Sequence, residues 1–161
     1  METVTTSEQE RILWARYNAL LTTVPGMIDE RMRAATSLSR FQYMLLETLA
    51  TNPDGQVQLA DVARAADSSL SRLSHAITRL EEAGLVERRA CDSDRRASWA
   101  VLTPAGAKAI ADAKGAHERV MREVLLDRVP ADKLDAAIAF LTALLPDDVA
   151  GACAAIDGVA G

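Results

Sequence analysis

The sequence predicts a mainly α-helical protein that carries one small β-hairpin wing. Apolar residues form 49% of the 161 residues and aromatic residues only 4%, and this alanine- and leucine-rich composition favours helices over sandwiches or barrels. Apolar positions recur every three or four residues in several long segments. Two extended segments, 85–91 and 97–103, flank a polar tip over 92–95, which is the pattern of a hairpin.

The first predicted element is a long helix that begins after Ser7. Ser7 and Glu10 form a capping-box signature. Pro25–Gly26 interrupts the apolar stripe behind it, but the stripe resumes in phase, which favours a kink over a break. The stripe consists of Trp14, Tyr17, Leu21, Val24, Ile28 and Met32.

A second helix and a very short strand follow. Ser39 and Gln42 form another capping box, which opens a helix from about Arg40 to Ala50. The segment 52–55 reads Asn-Pro-Asp-Gly and predicts a turn. A very short strand is expected over residues 56–58.

The next segment predicts two helices joined by a tight turn. Residues 59–66 form a short helix, after which Asp67 and Ser68 supply turn and N-cap chemistry. The second helix runs from Ser69 to Ala83, and Gly84 fits the left-handed residue that ends it.

Two more helices are predicted after the hairpin. Thr103–Pro104 is an N-cap followed by proline at the first helical position, so a long helix begins there and ends near Arg128–Val129. Pro130 opens a last helix, and Pro146 stops it. The alanine-rich tail over 147–161 is expected to fray. The apolar face of the last helix consists of Leu134, Ala137, Ile138, Leu141 and Leu145.

The helix from Ser69 to Ala83 has two chemically distinct sides. At about 100° per residue, Leu70, Leu73, Ile77 and Leu80 gather on one side. The other side carries hydroxyls, one imidazole and two guanidiniums, which suit close approach to DNA and bidentate reading of guanine. The candidate DNA-contact residues of this helix are Ser68, Ser69, Ser71, Arg72, His75, Thr78 and Arg79.

The predicted hairpin carries arginine at and near its tip. Arg95 and Arg96 lie at the turn, and Arg88 and Arg89 lie on the incoming strand. A narrow ribbon tipped with arginine reaches the minor groove beside a helix in the major groove. Asp94 lies two residues before Arg96 and is placed to hold that guanidinium in one pose.

Each of these features alone has an ordinary structural explanation that does not involve DNA. Any surface helix has polar residues opposite its core face, and arginines at a hairpin tip are usually solvated charge. The net charge of −5 argues weakly against nucleic acid, although DNA contact depends on local charge. The order helix, tight turn, helix, hairpin shifts the balance towards a winged helix-turn-helix that binds double-stranded DNA.

A longer motif joins the hairpin to the helix that follows it. Asp94-Arg95-Arg96 is followed by five residues and then by Leu102-Thr103, while Gly84-Leu85-Val86 opens the first strand. This combination resembles the wing signature of the MarR family of bacterial regulators. Pro104-Ala105-Gly106 fits the family's entry to a long C-terminal helix, and the resemblance covers about residues 10–146.

The resemblance implies roles that periodicity does not. Arg96 would be the minor-groove arginine, with Asp94 as its orienting partner, and the helix from Ser69 would read the major groove. Residues 1–36 and 104–146 would be dimerisation helices, residues 37–103 the DNA-binding lobe, and 147–161 a flexible tail. The expected function is that of a homodimeric repressor on a pseudo-palindromic operator.

Regulation leaves several interpretations open. A small aromatic or phenolic effector would bind in a crevice between the dimerisation helices and the DNA-binding lobe, although ordinary core is the favoured interpretation of the candidate residues. A redox role for Cys91 is a weaker alternative, based on Arg88 and Arg89 lowering its pKa. The candidate crevice residues are Trp14, Tyr17, Phe41, Tyr43 and Met44.

Other classes are disfavoured by what the sequence lacks. Cys91 and Cys153 form no metal-binding motif, so no metal or cofactor is expected. A long apolar run and a signal-peptide pattern are both missing, which predicts a cytoplasmic protein without membrane contact. No catalytic triad or phosphate loop is recognisable, and His117 is interpreted as a packing or dimer-contact residue rather than a catalyst. A winged-helix protein-interaction module remains as the main alternative.

Overall fold

The computed structural model describes residues 5–59, 70–90, 98–147 and 149–150. These residues belong to two compact units, 1–121 and 122–161. Most of the short helix predicted over 59–66, its following caps and the hairpin tip lie outside the described residues. What is described is mainly helical with a small antiparallel sheet, which confirms the predicted fold class.

The first helix, α1, spans Glu8–Thr36 and begins with the predicted capping box. The Ser7 N–H donates to the Glu10 carboxylate at 2.6 Å, and the Glu10 N–H donates to Ser7 Oγ at 3.2 Å. Pro25 lies inside the helix without ending it, as the in-phase stripe predicts. The left-handed Ser37, with φ of 63°, ends the helix and donates its N–H to the Arg33 carbonyl at 3.1 Å.

The second helix, α2, spans Arg40–Thr51 and also begins with its predicted capping box, formed by Ser39 and Gln42. An additional acceptor comes from α1, because Asp29 Oδ1 accepts the Arg40 N–H at 2.7 Å. The start of α2 is therefore tied to the last turns of α1.

The sheet has three antiparallel strands in the order β1–β3–β2. Strand β1 spans Gln56–Gln58, and β2 and β3 span Val86–Ala90 and Ser98–Leu102. Ala90 pairs with Ser98, so the two hairpin strands face each other up to the start of the predicted tip. The central strand β3 places Ala100, which is fully buried, opposite both Val57 and Arg88.

The third helix, α3, spans Leu70–Glu82 and contributes the inner side that the sequence predicts. Leu73, Ile77 and Leu80 are each only 1% exposed. Burial of each such side chain contributes about 1.5–3 kcal/mol, so this side fixes the rotation of α3 about its axis. The other large side chains of this core are Met32, Leu46, Leu49 and Val86.

The turn from α3 into β2 is held by the start of the next helix, α4, which spans Pro104–Val124. Gly84 has the predicted left-handed backbone, with φ of +71°. Thr103 Oγ1 donates to the Gly84 carbonyl at 2.7 Å and accepts the Gly106 N–H at 3.0 Å, which confirms its N-cap role. A Cβ at Gly106 would overlap the Leu85 carbonyl oxygen, so only glycine permits this approach.

The second unit begins near the end of α4, which stops four residues earlier than the sequence predicts. Leu125, with φ of −133°, leaves the helical region, and a 3-10 turn spans Leu126–Arg128. That turn is stabilised locally, because Arg128 Nε donates to the Glu123 carbonyl at 2.8 Å.

The last helix, α5, spans Leu134–Ala143 and is preceded by a 3-10 turn over Ala131–Lys133 that starts at Pro130. It ends before Leu144, slightly earlier than the predicted stop at Pro146. The Ala150 N–H donates to the Pro146 carbonyl at 2.9 Å, so the chain begins another helical turn there. Among the described helices none is both long enough and apolar enough to cross a membrane.

Candidate nucleic-acid interface

The outward side of α3 is exposed along its whole described length. Ser71, Arg72, His75, Thr78 and Arg79 are all exposed, whereas the leucines and the isoleucine on the other side are buried. This arrangement agrees with the two-sided pattern in the sequence. The predicted contacts Ser68 and Ser69, and the side chain of Leu70, lie outside what the structure describes.

Three of these exposed side chains are uncommitted. In the described part of the chain, Ser71, His75 and Arg79 make no side-chain hydrogen bond or ion pair with the protein. Thr78 differs, since its Oγ1 donates to the Ser74 carbonyl at 2.9 Å. The uncommitted hydroxyl, imidazole and guanidinium are the groups best placed to exchange water for a ligand.

A small cavity of about 200 Å³ lies beside α3, at the end of α1 and the start of α2. Its described lining carries the guanidiniums of Arg33, Arg72 and Arg79 and the carboxylate of Asp29, with His75 beside them. Asp29 pairs with Arg33 at 3.6 Å. Among these described residues positive charge exceeds negative charge, although the chain as a whole is acidic.

Arg33 belongs to this lining although nothing in the sequence predicts it as a site residue. It lies in the last turn of α1, outside the helix-turn-helix, and only the packing of α1 beside α2 brings it to α3. No sequence spacing signals this placement, because it depends on tertiary contacts.

The two arginines of β2 have different environments. Arg88, predicted as a wing contact, lies against α3, where its Nη2 donates to the Ser74 carbonyl at 2.9 Å and to Thr78 Oγ1 at 2.8 Å. Its Nε pairs with Glu81 at 3.2 Å. A signal for this was present in the sequence: Arg88 follows Val86 by two residues, so both lie on the same side of the strand, and Val86 is buried.

Arg89 points to the opposite side of the hairpin and is well exposed. Its only described partner is Glu87, at 3.2 Å, and both side chains are about 60% exposed. Exposed pairs of this kind contribute little to stability, so Arg89 is free to exchange Glu87 for a phosphate. The remaining wing candidates, Asp94, Arg95 and Arg96, lie outside the described residues, as does Cys91.

The predicted crevice residues make three separate aromatic contacts. The Trp14 and Tyr17 rings lie 5.8 Å apart, and Phe41 lies under Arg72. Tyr43 is buried and stacks on His117, with centroids 4.1 Å apart, which confirms His117 as a packing residue. Met44 is exposed.

The Tyr43 phenol has a perturbed pKa. Burial raises this pKa most, and the carboxylates of Glu47 and Glu118 raise it further. The phenol donates weakly to Glu47 Oε1 at 3.5 Å. Tyr43 is therefore a neutral core residue of this unit.

The fold and this surface together define a winged helix-turn-helix protein, in which a helix with an exposed polar side leads directly into an antiparallel hairpin. The sequence model of the MarR family matches residues 36–97, which include α2, α3 and β2. In sequence and in fold the chain is similar to the MarR family of transcriptional regulators. The similar proteins are described as transcriptional regulators.

Two solved structures illustrate the similarity over most of the chain. Sco3205, a MarR family regulator from Streptomyces coelicolor solved in complex with DNA, is 26% identical with a TM-score of 0.79, covering 90% of this chain and 94% of that one. AbsC, a MarR family regulator from the same organism, is 28% identical with a TM-score of 0.75, covering 86% of this chain and 93% of that one.

A curated relative matches over a shorter region. The helix-turn-helix regulator YfiV of Bacillus subtilis is 31% identical over 98 residues, which are 60% of this chain. The match spans 59% of the length of YfiV, so it concerns only part of that protein.

Proposed function

We propose that this regulator binds double-stranded DNA sequence-specifically, with α3 in the major groove and the hairpin in the adjacent minor groove. The observation that carries the proposal is the exposed side of α3, where Ser71, His75 and Arg79 are uncommitted to contacts within the protein. Short hydroxyls permit close approach, and arginine reads a guanine edge through two hydrogen bonds. The DNA complex of Sco3205 supports the same class of partner.

The proposed active form is a homodimer. The first half of α1 exposes Ile12, Leu13, Trp14, Leu20 and Leu21 by 43–65% each. In the second unit, Ile138 and Leu141 are 54% and 51% exposed. Soluble monomers rarely expose apolar surface on this scale, and a second copy provides a self-complementary cover.

A two-fold dimer predicts the layout of the operator. The two copies of α3 would enter successive major grooves about 34–36 Å apart, on a pseudo-palindromic site. A dimer seated across a promoter excludes other proteins from it, so we propose that the chain acts as a repressor. A promoter fusion that is more active after deletion of the gene supports this role, and lower activity contradicts it.

Relief by a small aromatic or phenolic effector is part of the same proposal. The exposed Trp14 ring beside Tyr17, and the Phe41 ring in the positively charged cavity, support an aromatic ligand. Titration of candidate phenols into the protein–DNA complex tests this directly. Release of DNA at a concentration that leaves the fold intact is the expected result.

The decisive experiment for DNA binding is a gel shift with the region upstream of the gene, repeated over a salt series. Phosphate neutralisation predicts that log K falls linearly with log salt concentration, by about 0.9 per phosphate contact. Random-sequence DNA of equal length is the control for specificity. Absence of binding to any DNA, together with capture of one defined protein, would favour the interaction-module alternative instead.

A further inference from the structure

We propose that Arg88 is a positioning residue that locks β2 to α3, so that helix and hairpin meet DNA at one fixed angle. This inference rests on the proposed function for its consequence, but the lock itself is a property of the free protein. It gives Arg88 a role distinct from that of its neighbour Arg89.

The contacts of Arg88 extend along two turns of α3. Beyond the bonds to Ser74 and Thr78, Arg88 Nη2 lies 3.5 Å from Ser74 Oγ. Glu81 holds the residue twice, since its Oε2 pairs with Arg88 Nε at 3.2 Å and its Oε1 accepts the Arg88 backbone N–H at 3.3 Å. The spacing of Ser74, Thr78 and Glu81 by four and three residues places all three on one line of the helix.

The hydrogen bonds at Thr78 are mutually consistent. Its hydroxyl proton is used on the Ser74 carbonyl, which leaves the oxygen lone pairs to accept from Arg88. Thr78 was predicted as a DNA contact, but in this arrangement its hydroxyl connects the hairpin to the helix. Base reading is then left to the other exposed residues on this side of α3, which are Ser71, Arg72, His75 and Arg79.

Burial separates the two arginines of β2. The Arg88 side chain is 32% exposed and that of Glu81 is 41% exposed, against 61% for Arg89. Hydrogen bonds between charged groups strengthen as water is excluded. Arg88 is therefore the arginine whose Nε and Nη2 groups already have partners within the protein, and Arg89 is the one more available to phosphate.

Hydrogen bonds from Thr103 form a second clamp, at the turn between α3 and β2. Thr103 Oγ1 binds the Gly84 carbonyl, and the Thr103 N–H donates to the Leu85 carbonyl at 3.2 Å. The turn from α3 to β2 is thus fixed at its start, and Arg88 fixes the strand three residues later. With both clamps in place the hairpin has little freedom to swing, so less conformational entropy is lost when DNA binds.

The test compares Arg88→Met with Arg89→Met, a matched pair on one strand that keeps a long unbranched side chain. If Arg88 positions the hairpin, Arg88→Met weakens operator binding about tenfold while the salt slope stays unchanged, because no phosphate contact is lost. Arg89→Met is expected to lower the slope by about 0.9. A slope reduced equally by both variants would show that Arg88 is a DNA contact and overturn the proposal.

Glu81→Met is a second test, because the two possible roles of Arg88 predict changes of opposite sign in DNA affinity. If Arg88 contacted DNA, removal of this neighbouring carboxylate would strengthen binding by freeing the guanidinium and removing repulsion of phosphate. If Arg88 instead locks β2 to α3, Glu81→Met weakens DNA binding. The double variant Glu81→Met with Arg88→Met then binds little more weakly than either single variant, because both changes remove the same contact. Tighter binding by Glu81→Met would contradict the lock.

Hydrogen exchange of the DNA-free protein tests the lock without DNA, because it measures how often the amides of β2 open to solvent. Arg88→Met and Glu81→Met are expected to speed exchange of amides in β2 while the buried side of α3 stays protected. Arg89→Met should leave both unchanged. Unaltered exchange in β2 of both Arg88→Met and Glu81→Met would overturn the lock, even if the wild-type chain binds DNA.

Discussion

The guanidinium of Arg72 lies 4.9 Å from the centroid of the Phe41 ring. This contact joins the outward side of α3 to the first turn of α2. A cation held over an aromatic face gains about 0.5–1 kcal/mol at an exposed site, so Phe41 restricts the directions in which Arg72 extends. The arrangement has a consequence for sequence preference.

Arg72→Ala is expected to relax the preference at one base pair of each half-site. Loss of a bidentate arginine–guanine contact costs about 1–3 kcal/mol of discrimination. Phe41→Leu keeps an apolar side chain but removes the aromatic face, so we expect a smaller loss at the same base pair. Gel shifts with operators substituted at each position measure both effects, and unchanged discrimination by Arg72→Ala would remove Arg72 from the readers.

Local chemistry explains why much of the fold could be predicted from the sequence. The caps at Ser7 and Ser39 and the left-handed Gly84 depend on residues within a few positions of each other. The two sides of α3 follow from helical periodicity alone. The sequence did not predict the early end of α4, because no turn residue marks the departure of Leu125 from the helix.

The site was less predictable than the fold for a related reason. Arg33 reaches the cavity beside α3 through tertiary packing, and Arg88 takes a lock role through partners seven to fourteen residues away. Strand alternation places Arg88 on the same side of β2 as Val86 and Arg89 on the other side. It does not predict which residues of α3 Arg88 contacts, because tertiary packing brings those partners close.

Gly106→Ala is expected to destabilise the protein by about 2–3 kcal/mol. The alanine Cβ would overlap the Leu85 carbonyl oxygen, and this backbone atom cannot move away without disturbing the hydrogen-bonded turn. Gly115→Ala is the matched control on the same helix, since its nearest contact is the flexible end of Arg119 at 3.7 Å. That change should stabilise by about 0.5–1 kcal/mol. Equal denaturant midpoints for the two variants would contradict this interpretation of the junction.

Tyr43 predicts how stability depends on alkaline pH. Burial raises its pKa in the folded chain above the ordinary value of 10.0, so the phenol ionises more readily in the unfolded chain. The free energy of unfolding contributed by this difference is intact below pH 10.0 and is lost as pH rises from there through the folded pKa. Tyr43→Phe should flatten that decline. Parallel declines of the wild-type and variant proteins in urea titrations would refute the prediction.

The double change Ile138→Lys and Leu141→Lys is expected to convert the proposed dimer to a monomer. Both side chains are about half exposed in the single chain, so two lysines there destabilise a monomer little. In a dimer interface the same two charges would lose their hydration, which opposes association. Asp135→Lys adds charge to the same helix at a polar position and should leave the dimer intact. Light scattering at micromolar concentration gives the mass, and circular dichroism checks that the helices persist. Because a monomer presents one recognition helix, the double variant should also lose most of its operator affinity; a dimeric double variant would place the interface elsewhere.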